Sequence, residues 1–397
     1  MNGGRTGAGR ARSAALIATA AVAYVLTLVP IACMPAAGPL EDDALDALTL
    51  MAAGADTDTA ALATPPGSHH QVTPVNAFGI PVILTGQLDH EHDYQLYACG
   101  PGDAGDRWIV EHPLLWPGDR VVVALFDENM CLLARSGNPA SRPLVHVLRR
   151  DSPRIFVGVT PGCEQPGRSY LLQVRRSAGA AIPRPRPQVA WLNFAGTSNL
   201  SVGSYRHLAF GPFSGALITD AYAADTDEIK TAIAQTVLHN YAAYDLAVLS
   251  SDETPVPPAD CSIIHFGGIS DAQLGVADNV DGYNADLSQN AVVFARSFAP
   301  YETMHLTPAQ MGQMIGNVAS HELGHLLGLY HVAEANNLMA EAEVCTAWDL
   351  AEEQHFQAAD LYPCVFPTGR LNAARLLEDT LGPRSEPLPL DIRAPAD

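Results

Sequence analysis

The stretch from His321 to His331 reads His-Glu-Leu-Gly-His-Leu-Leu-Gly-Leu-Tyr-His. On a helix, residues four apart share a face, so His321 and His325 can present both imidazoles to one ion. Gly328 follows one turn later, where a residue free to adopt positive φ lets the chain leave the helix and bring back His331 as a third ligand. Three neutral nitrogens with a fourth position left for water are typical of a catalytic zinc site.

Glu322 is the residue that would carry proton chemistry at such a site. It follows the first histidine directly and could accept a proton from metal-activated water, then return it to a leaving amine. The alternative is an amphipathic core helix with incidental histidines. Five such residue types at these fixed positions would arise by chance in about one in ten thousand chains of this composition. The spacing therefore favours a metal site.

The run resembles the zinc signature of the metzincin endopeptidases, which place a methionine turn after the third histidine. Asn337–Ala340 supplies the turn, and Met339 stands eight residues beyond His331, the spacing of the matrixin branch. The resemblance implies that the three histidines bind Zn²⁺, that Glu322 is general base and acid for zinc-activated water, and that Met339 is a hydrophobic floor without being a ligand. No tyrosine follows Met339, unlike astacins and serralysins, and Ala340 replaces the Tyr-Pro of animal matrixins, so their specificity pocket is not carried over.

The resemblance is strongest over residues 311–340. It implies an α+β metzincin-like catalytic domain over residues 189–382, with a twisted mixed sheet and an active-site helix. Apolar runs predict strands at Val189–Phe194, Leu246–Leu249, Ser262–Phe266 and Ala291–Phe294, and helices at Asp225–Tyr244, Thr307–Leu329, Trp348–Ala359 and Leu371–Leu381. We expect Ala291–Phe294 to be the edge strand that pairs with extended substrate.

Residues 75–177 consist of short apolar runs divided by turn residues. Strands of about five residues at this spacing predict an antiparallel β-sandwich. The region resembles the pre-peptidase C-terminal domain found beside secreted bacterial proteases, which implies an accessory role in adhesion, targeting or maturation. The supporting residues are Gly86–Asp89, Asp93, Tyr94, Ala124–Asn129 and Val157–Val159.

The N-terminus has a basic segment followed by an uncharged run from Ala14 to Leu40. This pattern predicts a signal peptide or lipoprotein signal over residues 1–37, with an uncleaved membrane anchor as the alternative. Cys33 stands where a lipidated cysteine would, and ordinary cleavage near Ala36 is the other option. We expect an exported protein, extracellular or at the cell envelope, that meets a membrane only through this anchor.

Three further segments lack apolar periodicity. Residues 38–74 resemble a flexible tether, residues 178–188 alternate Pro and Arg as a stiff linker, and residues 383–397 form a C-terminal tail.

Beyond Cys33 there are six cysteines, divided three and three between the two halves. An even number in an exported chain is typical of disulfide bonds. We expect Cys345 to pair with Cys364, while full pairing would need a bridge between the halves or one free thiol in each. Cys99 lies within the predicted sandwich, where a disulfide or buried thiol is favoured over a cysteine that caps the zinc.

A loop rich in oxygen ligands precedes the zinc motif. Asp278, Asp281, Asn284 and Asp286 lie close together in sequence around a glycine, and such ligands suit Ca²⁺ in a structural role. Their spacing is not that of an EF-hand. A solvated acidic loop is the alternative.

The charge of the chain is strongly negative and unevenly distributed. Its 43 acidic and 22 basic residues give a net charge of −21, which excludes nonspecific binding to nucleic acid. Residues 1–187 carry 17 acidic and 15 basic residues, whereas residues 188–397 carry 26 and 7. The acidity therefore belongs to the half with the zinc motif, which suggests cationic peptide substrates or bound calcium.

Together these features predict a secreted or envelope-anchored zinc endopeptidase, monomeric and acting on a peptide or protein substrate. Two alternatives stay open: a non-catalytic cell-surface binding protein with a protease-like domain, and a zinc hydrolase of a non-peptide amide. Glu322 argues against the first, because inactive relatives commonly lose this residue. The metal site alone does not separate peptides from other amides.

Overall fold

The computed structural model describes residues 72–74, 81–90, 92–112, 121–137, 142–163 and 168–385. The expected signal over residues 1–37, with Cys33, lies outside this range, as do most of the tether and residues 386–397. Within the described part of the chain, no helix combines the length and apolar composition needed to cross a bilayer.

The described strands of the first half form two sheets. They are β1 (Val72–Pro74), β2 (Val82–Leu88), β3 (Gln95–Ala98), β4 (Arg107–Glu111), β5 (Val122–Phe126), β6 (Leu132–Ser136), β7 (Leu144–Val147), β8 (Phe156–Thr160) and β9 (Arg168–Ser177). Sheet 1 has the order β1-β3-β8-β5-β6, and sheet 2 has the order β2-β9-β4-β7. All pairings are antiparallel except that of β1 with β3. Residues 72–74 thus belong to sheet 1, although the sequence predicts that they are part of the tether.

The two sheets enclose a shared apolar core, so the first half is a β-sandwich. Trp108 of sheet 2 and Tyr97 of sheet 1 are fully buried within it. Along β9, Tyr170, Leu172 and Val174 are buried and alternate with more exposed residues, as expected for a strand with one covered face.

Sheet 1 is covered on both faces. Every residue of β5 is buried. Val123 and Leu125 pack into the sandwich core, whereas Ala124 and Phe126 pack into the core of the second half of the chain. The sandwich is therefore docked through the outer face of sheet 1.

Residues 178–187 connect the halves without helix or strand. The second half contains β10 (Gln188–Asn193), β11 (Thr197–Val202), β12 (Tyr205–Phe210), α1 (Thr226–Asn240), β13 (Leu246–Ser250), β14 (Ser262–Phe266), β15 (Gly275–Ala277), β16 (Asn290–Val293), α2 (Pro308–Leu326), α3 (Ala347–Ala351), β17 (Ala358–Asp360), β18 (Arg370–Asn372) and α4 (Ala373–Leu381). Short 3-10 segments cover Gly215–Leu217, Asp220–Tyr222 and Ala295–Met304.

The main sheet of this half, sheet 3, has five strands in the order β13-β10-β14-β16-β15. The first four are parallel, and β15 runs antiparallel to β16. The expectation that Ala291–Phe294 forms the edge is wrong, because β16 is paired on both sides. The edge strand next to β16 is β15, Gly275–Ala277, a segment too short to give a strand pattern in the sequence.

Helix α2 begins and ends with strong local signals. The Thr307 hydroxyl accepts a hydrogen bond from the Gln310 backbone N–H, the Gln310 side chain accepts one from the Thr307 N–H, and Pro308 occupies the first turn. At the other end Gly328 has φ +96°, and Leu329 N–H donates to the Gly324 carbonyl. This C-terminal cap turns the chain sharply just after His325.

One expected helix of the second half is shorter in the structure, and one hairpin is additional. The helix expected over Trp348–Ala359 ends at Ala351, because Glu352 is extended. The Asn317 side chain donates to the carbonyls of Leu350 and Glu352 at this end. The β11–β12 hairpin was not expected, although Gly203-Ser204 between two extended runs is a recognised turn signal.

The expected pairing of Cys345 with Cys364 is wrong. Cys364 instead forms a disulfide with Cys163, with Cα atoms 5.0 Å apart, and so links the two halves. Cys345 is free, and its thiol lies 3.4 Å from the Ala335 carbonyl oxygen. Proximity in sequence misled the prediction because the docked sandwich brings a cysteine from 201 residues away.

Helices α1 and α2 approach closely at Gly312. A Cβ atom there would lie 2.5 Å from the Ala232 Cβ and 2.7 Å from the Ile229 carbonyl oxygen. Alanine is favoured over glycine within a helix by about 1 kcal/mol, but this overpacking should cost more. We expect Gly312→Ala to lower the free energy of unfolding by a net of about 1–2 kcal/mol, measured from the urea transition.

Gly211→Ala is the matched control, because no heavy atom lies within 4 Å of the added Cβ. An unchanged or raised urea midpoint for Gly312→Ala would contradict this account of the helix contact.

Candidate metal centre

The side chains of His321, His325 and His331 converge on one point. Their three Nε2 atoms lie 3.0–3.1 Å apart. Helix α2 supplies two of them from successive turns, and the turn at Gly328 returns the third. Within the described ranges, this is the one set of three or more His, Cys, Asp or Glu residues whose ligand atoms all lie within 4.8 Å of one another.

The other ring nitrogen of each histidine is held by an acceptor. Nδ1 of His321 lies 2.7 Å from the Leu338 carbonyl oxygen, and Nδ1 of His325 lies 2.9 Å from that of Leu329. Nδ1 of His331 lies 2.5 Å from Oε2 of Glu341. Because these oxygens accept, each Nδ1 donates to its partner, which leaves the three Nε2 atoms facing one another.

The Nε2 atoms of neutral His321 and His325 cannot donate hydrogen bonds to each other, so their lone pairs repel at this separation unless a proton or a metal cation lies between them. Ligands about 2.0–2.1 Å from a tetrahedral zinc ion lie about 3.3 Å apart, close to the observed spacing. Neutral imidazoles also suit zinc and neighbouring transition metals. The donor set therefore fits a divalent transition-metal ion with a fourth position left open.

Burial keeps two of these imidazoles, those of His321 and His325, neutral. It lowers the pKa of His321 to about 4, with the nearby His331 as the second cause. The pKa of His325 is well below its usual value for the same reasons, burial first and the neighbouring histidines next. Two of the three rings are thus in the protonation state that a metal requires at neutral pH.

Glu322 follows His321 in the chain, and its carboxylate is in an unusual environment. It is 4% exposed, and its Oε2 has no hydrogen-bond partner. A Cβ on Gly275 of the edge strand would lie 2.6 Å from its Oε1, so only glycine leaves room for the carboxylate there. Burial, and secondarily the charge of Glu341, raises the pKa of Glu322 to about 8. A cation at the centre would oppose that rise.

Met339 lies in a tight turn that packs against helix α2. Ala340 N–H donates to the Asn337 carbonyl, and Met339 N–H donates to the Asn337 side chain. Met339 is fully buried, and a Cβ on Gly324 would lie 2.5 Å from its sulfur. The same turn supplies the Leu338 carbonyl that orients His321.

Glu341 is a site residue that the sequence prediction missed. Its Oε2 contacts His331, and its Oε1 accepts from the Ala342 N–H. Burial alone would raise the pKa of Glu341, but the hydrogen bond and charge of His331 outweigh it, so the net pKa is lowered. The only available signal was an acid two residues after Met339, a position without helical or strand periodicity.

Three of the four residues considered for calcium accept backbone hydrogen bonds from nearby residues, whereas the side-chain atoms of Asn284 have no hydrogen-bond partner among the residues that the structure describes. Asp278 accepts from the Asn290 N–H, Asp281 from the Asp286 N–H, and Asp286 from the Ser288 N–H. Asn284 is buried. The three carboxylates do not gather as a ligand set within the described residues. Instead, Asp281 N–H donates to the His325 carbonyl, so the loop braces the end of α2.

Cys99 lies in the sandwich core, with its thiol 3.4 Å from the Tyr97 carbonyl oxygen. Burial raises the pKa of this thiol to about 12. It is a buried free thiol in the described structure.

No family model matches the chain, and no curated protein matches it. Among solved structures, it shows 18% identity and a TM-score of 0.22 to PliG, a periplasmic inhibitor of g-type lysozyme from Aeromonas hydrophila, over 27% of this chain and 96% of that one. It shows 12% identity and a TM-score of 0.18 to IMPa from Pseudomonas aeruginosa, in complex with an O-glycopeptide, over 65% of this chain and 31% of that one.

A family two carbohydrate esterase from Cellvibrio japonicus gives 11% identity and a TM-score of 0.10, over 43% of this chain and 52% of that one. All three TM-scores are below 0.5, too low to support an argument about fold or function.

The contact between Glu341 and His331 predicts a defect in metal binding. Glu341→Gln removes the charge that favours the Nδ1-protonated ring and strengthens its Nε2 as a donor. We expect zinc affinity to fall by about 10–100-fold, as measured by competition with a chelator.

Glu334→Gln is the control, since it makes the same charge change at an exposed position three residues after His331. Equal zinc affinities for the two variants would show that Glu341 does not support the ligand.

Proposed function

We propose that this chain is a secreted or envelope-anchored zinc endopeptidase of the metzincin type. The observation that carries the proposal is the convergence of three Nε2 atoms at 3.0–3.1 Å, with every Nδ1 held by an acceptor. This arrangement is costly without a cation and suited to one. The buried carboxylate of Glu322 beside it supports a hydrolytic role over simple metal storage.

His321, His325 and His331 would hold the metal. Zinc, when bound, would supply a Lewis acid that acidifies water and stabilises an oxyanion. Oε2 of Glu322 is buried and has no hydrogen-bond partner, so it is free to accept a proton from the attacking water and to pass it to the leaving amine. Met339, which is fully buried, would keep water away from the imidazoles on the side of the turn at residues 337–340.

The edge strand β15 supports a peptide as the substrate. Two backbone hydrogen bonds flank β15: the Asp278 N–H donates to the Asn290 carbonyl, and the Phe294 N–H donates to the Leu274 carbonyl. By the alternation of an antiparallel ladder, Gly275 and Ala277 direct their backbone groups away from β16. All three residues of β15 are buried, and a Cβ on Gly203 in the β11–β12 turn would lie 3.0 Å from the Ala277 carbonyl oxygen. An extended peptide could therefore add there as a further strand only with the hairpin displaced. It would run past Glu322, which lies against Gly275.

The disulfide between Cys163 and Cys364 favours an oxidising compartment. It agrees with the export expected from residues 1–37, where lipidation at Cys33 remains part of the proposal.

Replacing the proposed base tests the mechanism. We expect Glu322→Gln to lower kcat/KM on casein or a peptide library on the order of 10²–10⁴-fold, because the proton acceptor is lost. Zinc content should stay near one per chain, since the histidines are unchanged. Chelation should abolish wild-type cleavage, and added zinc should restore it.

Glu334→Gln is again the control and should cleave like wild type. Cleavage that survives either chelation or the Glu322 change would rule out the mechanism. A zinc-loaded protein that cleaves no peptide would favour the binding protein or the hydrolase of a non-peptide amide.

The charge of the second half predicts a substrate preference. Residues 188–397 carry 26 acidic and 7 basic residues, so their field should attract cationic peptides. In a library balanced for Lys/Arg and Asp/Glu, we expect higher kcat/KM for basic peptides at low salt. The preference should shrink as ionic strength rises. A preference for acidic peptides would contradict this prediction.

A further inference from the structure

A short segment connects the third histidine to the sandwich. We call residues Tyr362–Phe366 the strap. The Tyr362 N–H donates to the carbonyl oxygen of His331 over 3.1 Å, and Leu361 forms a bridge with Val332. The backbone of His331 is therefore held by residues that lie outside α2.

The strap is fixed to the sandwich at three points. Cys364 forms the disulfide with Cys163. Nε of Arg135, on β6, donates to the Val365 carbonyl over 2.8 Å. The ring of Phe366 lies 5.1 Å from that of Phe126, centroid to centroid, on the outer face of sheet 1.

The Phe366 ring packs closely against a glycine of the sandwich. A Cβ on Gly158 of β8 would lie 2.6 Å from Cζ of Phe366 and 3.0 Å from the Phe126 ring. Gly158 has no positive φ, so its role here is the space that it leaves. This residue offers a way to disturb the strap without changing the second half of the chain.

Arg135 also contacts Tyr330, the residue before His331. Its guanidinium carbon lies 5.5 Å from the centroid of the Tyr330 ring, and Tyr330 precedes His331. One sandwich side chain thus contacts both the strap and the segment that presents the third imidazole.

We infer that the sandwich is a structural part of the metal centre, with Arg135 as a positioning residue that acts through Tyr330 and the strap to fix His331. This inference rests on the proposed function in that His331 is taken to hold the metal. It assigns the sandwich a role in metal retention beyond adhesion, targeting or maturation.

The experiment uses the full chain with four changes: Arg135→Met, Arg135→Lys, Gly158→Ala, and the double change Cys163→Ser with Cys364→Ser. Val110→Ala, in the sandwich core on sheet 2, is the control for general loss of sandwich stability. The measured quantities are the rate of zinc release to a chelator, kcat/KM, and hydrogen exchange of the Tyr362 amide.

We expect Arg135→Met and Gly158→Ala to release zinc about tenfold faster than wild type. Loss of a group that orients a metal-ligating residue has effects of this size. Tyr362 should exchange faster in both. Arg135→Lys should recover part of each effect, because lysine keeps the charge and one donor. Val110→Ala should change neither the zinc release rate nor the exchange rate of Tyr362, even if it lowers the melting temperature as much as Arg135→Met or Gly158→Ala does.

Equal acceleration in Val110→Ala would overturn the inference, because the effect would then be general destabilisation. Unchanged zinc release and exchange in all strap variants would overturn it as well. If the wild type binds no zinc, the proposed function fails separately. Exchange at Tyr362 then still decides whether the sandwich fixes the segment at His331.

Discussion

The close approach of three imidazole Nε2 atoms is the constraint on which the metal-centre half of the chain depends. Each ring is held by an acceptor from a different place: the turn after α2 at Leu329, the turn at Leu338, and the carboxylate of Glu341. No single helix or strand could hold the three nitrogens together. A cation converts this close approach into coordination, so its binding free energy is coupled to the folding of residues 321–341.

The parts of this centre that are encoded locally could be predicted from the sequence. Helical periodicity places His321 and His325 on one face, and the cap at Gly328 explains how His331 returns. Glu341 could not be found in this way. Its contact with His331 spans ten residues and depends on how the turn at Met339 closes, which is a tertiary property.

Non-local order explains the other differences. Strand order in a parallel sheet is set by crossovers, so an apolar run such as Ala291–Phe294 gives no indication of whether it lies at an edge. Its burial at three of the four β16 positions is what a central strand shows. Cysteine pairing is similar, because the partner of Cys364 is supplied by a docked module rather than by the nearest cysteine in sequence.

One non-local contact did leave a signal in the sequence. A sandwich strand with a solvent-facing side alternates apolar and polar residues, yet Val121–Phe126 is apolar throughout and buried throughout. Such a run indicates a sheet covered on both faces. Undocking would expose Phe126 and Phe156 at about 1.5–3 kcal/mol for each large side chain, besides breaking the Phe366 contact. These buried contacts therefore resist separation of the sandwich from the metal-centre half and keep the strap close to His331.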